Sequence, residues 1–254
     1  MSRSRRHLAL ATAVLVPLAL VFGLAATSGW AQGFRQRGMY LEPNPAYDGR
    51  FSFARLRYRV YGRSGWEFDY PTMERNLMLM MRYITRMRPH VRESSIYDMD
   101  DPELFKYPIA YLSEPGYWRP TESEAAGLRT YLRKGGFLIV DDFMLNEWVN
   151  FEQSMRMVLP SAKIVRLTES HVVFDSFFKV ASLQMDYPHR PGLRAEFLGI
   201  HVDNDPTKRL MVVINYNNDI GDYMEHSGEG RWPVNISNDA YKLAVNYIVY
   251  ALTH

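Results

Sequence analysis

Gly135-Gly136-Phe137-Leu138-Ile139-Val140-Asp141-Asp142 decides the fold of this chain. Four consecutive apolar residues with no polar alternation predict a strand covered on both faces, as in parallel sheets packed between helices. The two glycines end the helix before it, in the left-handed turn that glycine adopts at low cost. The two aspartates mark where the strand runs out. Upstream, Thr121-Glu122-Ser123-Glu124 is a capping box that opens a helix with Leu128, Tyr131 and Leu132 on its apolar face. Before it, Tyr107 to Leu112 reads as a second buried strand.

Further upstream, Pro71 suits the first turn of a helix, and Leu77, Met80, Met81, Ile84 and Met87 form one apolar stripe. Leu56, Tyr58 and Val60 alternate with Arg55, Arg57 and Arg59, which predicts a half-exposed strand with its arginines in water. Downstream, a helix is expected from about Asn146 to Pro160, with Trp148, Phe151, Met155 and Val158 inward, and then a strand over 164–167. Residues 175–194 read as irregular. Glu196 to Val202 and Arg209 to Tyr216 predict two strands joined by a turn-rich connector, and a last helix is expected from near Asn238. This alternation predicts a flavodoxin-like α/β sandwich over residues 51–254, with a mostly parallel sheet and a late antiparallel hairpin.

The N-terminus reads as a targeting segment. Arg3, Arg5 and Arg6 precede an uncharged stretch from Leu8 to Ala31, with the small-residue exit Gly29-Trp30-Ala31. A basic head, an apolar middle and such an exit predict a secretory signal over 1–31, and with it a periplasmic or secreted protein. The alternative is an uncleaved anchor through residues 8–26, the only membrane contact this sequence suggests. Residues 32–50, with Pro43, Pro45 and Gly49, read as a flexible tether.

Composition narrows the chemistry. Among 254 residues there is no cysteine, which excludes disulfides, thiolate metal sites and a cysteine nucleophile. Thirty Lys and Arg stand against 28 Asp and Glu, and loss of residues 1–31 would leave a net charge of −1. Nothing there draws the chain to nucleic acid. No Walker loop, dinucleotide fingerprint or Gly-x-Ser-x-Gly elbow occurs.

Ligands of open α/β sheets sit beyond the carboxyl ends of the strands. The residues just past each predicted strand therefore form the candidate pocket: Trp66, Asp69 and Tyr70, then Glu114, then Asp141 and Asp142, then His171, then Asn218 and Asp219. Asn215, Asn217, Asp222 and His226 lie close by in sequence. Such a set could hold a divalent metal, although no cofactor is evident. It could do acid–base work on a glycoside, or bind sugar hydroxyls without chemistry. The plainer reading makes Asp142 a cap of the helix after it, Asp219 to Asp222 an ordinary turn, and His171 a buried structural histidine.

These residues resemble a bacterial family, domain of unknown function 4159. The resemblance is carried by Phe53 to Tyr58, Trp66 with Asp69-Tyr70-Pro71, Tyr107-Pro108 through Leu112, Leu132 to Asp142, His171 to Phe174, Asn218 to Gly221, and Asn246 with Tyr250. It implies a fold similar to the class I glutamine amidotransferase-like group. Where that group places its nucleophilic cysteine, this chain has Asp141-Asp142-Phe143, so amidotransferase chemistry is excluded. Val172 replaces the proline that usually comes after His171 in the family. Two functions are then expected as alternatives. One is a non-catalytic module binding an envelope protein or glycan. The other is a carboxylate-dependent hydrolase, with or without metal assistance, acting on a glycan or other envelope substrate.

Overall fold

The computed structural model describes residues 41, 43–60 and 65–254. The expected signal over 1–31 lies outside the described residues, and so does most of the expected tether. The described part of that tether, residues 43–50, is held on the domain instead. Asn44 brackets Ile96, its Oδ1 accepting from the Ile96 amide and its Nδ2 donating to the Ile96 carbonyl, both at 2.8 Å. Pro43–His254 form one compact unit.

Its centre is a seven-stranded sheet. The strands in chain order are β1 (Ala54–Arg57), β2 (Ser95–Asp98), β3 (Ile109–Ser113), β4 (Phe137–Asp141), β5 (Val165–Arg166), β8 (Glu196–His201) and β9 (Leu210–Tyr216). They lie in the order β2-β1-β3-β4-β9-β8-β5. The first five run parallel; β8 is antiparallel to β9, and β5 to β8. A separate two-stranded ribbon pairs β6 (Asp186–Tyr187) with β7 (Arg190–Arg194) inside the stretch expected to be irregular.

The described residues also form five α-helices: α1 (Thr72–Ile84), α2 (Glu122–Arg133), α3 (Glu147–Val158), α4 (Ile220–Glu225) and α5 (Val234–Thr253). Among the described residues no helix is long and apolar enough to cross a membrane. Strand β4 is buried throughout. Phe137 and Ile139 join the core formed with Met73, Leu77 and Met81 of α1 and Leu243, Tyr247 and Ile248 of α5. Leu138 and Val140 are equally buried but lie outside that cluster, as alternate residues of a strand covered on both sides must.

The capping box forms as expected. Thr121 accepts the Glu124 amide at 3.2 Å, and the Glu124 carboxylate accepts the Thr121 amide at 2.6 Å. Thr121→Ala should therefore cost about 1 kcal/mol. That loss should lower the melting temperature by about 2–4 °C for a domain of this size, which differential scanning calorimetry will measure.

Several local expectations are corrected. Arg55 is fully buried rather than in water, because its guanidinium is enclosed between Glu74 and loop carbonyls; Arg57 and Arg59 are exposed as expected. Strand β2 carried no sequence signal, since Ser95-Ile96-Tyr97-Asp98 shows only two apolar residues. Asp219 to Asp222 is not a plain turn but the start of α4. Helix α5 starts at Val234, a turn earlier than its apolar stripe, because that first turn is largely exposed.

Candidate functional site at the carboxyl edge of the sheet

Three acids from three separate connections meet at the carboxyl ends of the parallel strands. Asp69 lies between β1 and α1, Asp142 directly after β4, and Asp219 after β9 at the N-cap of α4. One carboxylate oxygen from each lies within 4.8 Å of the others. The backbone is bent to bring them there. Asp69 and Asp142 have φ of 62° and 61°, in the left-handed region, and the neighbouring edge residues Glu114 and Asn217 share it at 48° and 51°. Non-glycine residues in that region gather where the surrounding structure fixes them for a purpose.

Each acid is positioned differently. The Asp142 amide donates to the Asn218 carbonyl at 3.1 Å, tying the ends of β4 and β9 together. Its Oδ1 accepts from the Tyr187 hydroxyl at 2.9 Å, and its Oδ2 faces the Ser113 hydroxyl at 3.5 Å. It caps no helix, since the N-cap position of α3 is Asn146. Asp219 does cap one: its Oδ1 accepts the Asp222 amide at 2.8 Å. The Asp69 loop is held by Arg55, which donates to the carbonyls of Trp66 at 2.6 Å and Phe68 at 2.7 Å. Asp69 is partly exposed as a residue, but its Oδ2 is out of solvent and receives no hydrogen bond. A Cβ on Gly221 would stand 2.6 Å from that oxygen and 3.0 Å from the Tyr111 hydroxyl, so only glycine fits there.

Asp141 is beside this group but spent on structure. Its Oδ2 accepts from the Tyr111 hydroxyl at 2.8 Å and the Gly221 amide at 3.0 Å, and its Oδ1 from Asn215 at 3.0 Å and the Ile220 amide at 3.3 Å. It thus anchors the start of α4, which presents Asp219.

Crowding and burial set the protonation. Desolvation, then the Asp142 charge, push Asp69 up to about 9, although Arg55 opposes them. Desolvation and Asp141 raise Asp142 to about 7 against the Tyr187 hydrogen bond. Asp141 rises only to about 6, because its four donors offset its burial. Asp219 is driven well above the ordinary carboxylate range by burial and by its three acidic neighbours. Carboxylates this close share protons, or they share a cation.

The remaining predicted residues divide. Trp66 contributes its carbonyl to Arg55, and the Tyr70 ring lies 5.9 Å from the same guanidinium; both support the Asp69 loop. The Glu114 carbonyl accepts the Tyr58 hydroxyl at 2.7 Å, and Glu114 is not one of the three clustered acids. The Asn218 side chain accepts the Asp219 amide at 3.0 Å. His171 is carried to the other edge of the sheet. After β5 the chain turns back, and the His171 Nε2 lies 3.2 Å from that of His201, which pairs with Leu210 at the start of β9. Burial, then His201 and His254, lower His171 to about 4, as suits a structural imidazole.

Sequence reasoning missed Tyr187 and Arg55. Tyr187 arrives from a ribbon with no strand signal, and nothing in its neighbours announces a partner 45 positions away. Arg55 carried a signal of sorts: an arginine next to the apolar Phe53-Ala54 of a strand in a sheet expected to be covered on both faces.

Residues 52–252 match the model of a family described as Domain of unknown function (DUF4159), and the chain belongs to that family. No curated protein matches it.

Proposed function

We propose that this member of the DUF4159 family is an exported binding module of the cell envelope, holding a hard divalent cation between Asp69, Asp142 and Asp219. The carrying observation is the convergence of three carboxylates within 4.8 Å, one of whose oxygens is enclosed and lacks a donor. All three offer oxygen, the ligand type of Ca²⁺ and Mg²⁺, and oxygens so spaced can share one Ca²⁺, whose opposite ligands stand about 4.6–5.2 Å apart. A cation there would complete its shell with hydroxyl or anionic groups of a glycan or protein partner.

The fold proposed for this module is flavodoxin-like, similar to the class I glutamine amidotransferase-like group. The order β2-β1-β3-β4-β9 supports that reading, since it repeats the doubly wound order whose ligands sit beyond the carboxyl ends of the strands. Export is supported by the basic head and apolar middle of residues 1–31. With no cysteine after β4, amidotransfer is not part of the proposal.

Thermal unfolding of the full chain at pH 8 tests the cation. After EDTA treatment, Ca²⁺ or Mg²⁺ at a hundred times its dissociation constant should stabilise the fold by about 2.7 kcal/mol. Asp142→Asn keeps an acceptor for Tyr187 and suits a left-handed backbone. It should melt at the same temperature as the parent or higher in EDTA, and lose the cation response. An unchanged response in Asp142→Asn, or none in the parent at millimolar Ca²⁺, Mg²⁺ and Mn²⁺, overturns the reading.

A further inference from the structure

Beyond the three aspartates, two histidines aim their lone pairs at one positive charge. Arg231 donates through Nη1 to His226 Nε2 and through Nη2 to His189 Nε2, the latter at 3.1 Å. Guanidinium has no acceptor, so both Nε2 atoms present lone pairs. The other nitrogen of His226, Nδ1, lies 2.8 Å from Glu229 Oε2, and a carboxylate there favours the tautomer with its proton on Nδ1. A carboxylate that takes the far N–H of an imidazole is the outer support of metal-bound histidines, fixing the ring and raising its basicity.

Carboxylates complete the set. His226 Nε2 lies 3.3 Å from Glu225 Oε2 and 3.4 Å from Asp222 Oδ1, while His189 Nε2 lies 3.5 Å from Asp222 Oδ2. Asp222 is 7% exposed, and its Oδ2 is buried with no hydrogen-bond donor. A tetrahedral Zn²⁺ with bonds of about 2.0–2.1 Å sets its ligand atoms about 3.3–3.4 Å apart, close to these separations. His189 is held in place by the Trp232 ring at 4.8 Å, which itself packs on Tyr223 at 5.3 Å. The Arg231 guanidinium also lies over the Trp232 ring at 5.4 Å, and its side chain is 41% exposed, so a displaced guanidinium would be taken up by water.

We infer that Asp222, Glu225 and His226, one ligand atom of each lying within 4.8 Å of the others, form a second metal site, for Zn²⁺ or a similar imidazole-preferring divalent ion, with His189 joining from the other Asp222 oxygen as fourth ligand and Arg231 as the internal cation that the metal displaces. This site adjoins the three aspartates on the same helix, with Asp219 accepting the Asp222 amide, but it shares no ligand with them and its chemistry differs: imidazole nitrogen favours Zn²⁺, whereas an all-oxygen set favours Ca²⁺ and Mg²⁺.

Calorimetric titration of the untagged full chain with Zn²⁺, after EDTA treatment and dialysis, tests it. The parent should take up Zn²⁺, and His189→Ala and His226→Ala should each weaken binding at least tenfold. Glu229→Gln, which leaves all four ligands in place, should weaken it about 10-fold or more. Arg231→Gln should tighten it several-fold by removing the competing cation. Cu²⁺ should quench tryptophan fluorescence in the parent and much less in Trp232→Phe. Asp142→Asn should leave Zn²⁺ binding unchanged, which keeps this result separate from that for Ca²⁺ and Mg²⁺. Melting curves in EDTA confirm that each variant is folded. Failure of the parent to bind Zn²⁺ at micromolar concentrations overturns the inference. So does parent-like affinity in folded His226→Ala and Glu229→Gln, or weaker binding in Arg231→Gln.

Discussion

Arg55→Met should destabilise the protein by about 3–5 kcal/mol, the usual cost of stranding one member of a buried ion pair. Arg55 and Glu74 are 0% and 1% exposed, and Glu74 is the partner of the Arg55 Nε. Without the guanidinium, burial would push the Glu74 carboxyl still further above its ordinary range, where it already lies. The carbonyls of Trp66 and Phe68 would also lose their donor. Arg55→Met combined with Glu74→Leu should recover much of the stability, since an apolar pair of similar volume avoids the desolvation of both charges. It should not recover cation binding, because the Asp69 loop remains unsupported. Urea unfolding of the three proteins reads the first effect, and Ca²⁺ titration the second. A loss below about 1 kcal/mol in Arg55→Met would show that Glu74 does not depend on its partner.

The second large effect is on pH. Asp69 and Asp142, raised to about 9 and about 7, keep protons in the folded state that the unfolded chain has already released near its ordinary 3.8. The native state therefore binds more protons, and stability must fall as pH rises through those values. Below about pH 6.5 the lowered His171 works the other way, because the unfolded imidazole takes a proton that the folded one resists. The clean window is pH 6.5 to 9. In EDTA, the free energy of unfolding should fall by several kcal/mol across it, since each tenfold change in proton affinity is worth about 1.4 kcal/mol. Millimolar Ca²⁺ should flatten the slope, because the ion takes the place of the protons. Asp142→Asn should flatten it in EDTA alone. A slope in EDTA that neither change alters would place the titrating groups elsewhere.

The sequence was informative where one local pattern sufficed. Phe137 to Val140 announced a strand covered on both sides, and Thr121 with Glu124 announced the start of a helix to the residue. The strand-end rule named Asp69, Asp142 and Asp219 for the same reason: each lies in the connection that leaves a segment whose direction was readable. It failed for His171 because β5 is only two residues long, and the chain after it folds back to the far edge. It could not separate Asp141 from Asp142 either. Adjacent residues at a strand end point opposite ways, and only the positions of Tyr111, Asn215 and α4 decide which becomes the anchor. Tyr187 comes from a segment 45 positions from Asp142, and His189 lies 42 positions from Arg231, with no periodicity to fix the place of either.

The side-chain amide of Asn44 has a further consequence. An outermost strand offers a row of free amides and carbonyls to any other extended chain, the usual starting point of aggregation. Here β2 is the outermost strand on one side, and Asn44 takes both the donor and the acceptor of Ile96 in the manner of a single paired residue. On the other side the last strand, β5, has two residues, too few to template a partner. Among the described residues both margins carry small local devices rather than an added strand, and the backbone there offers little to another extended chain.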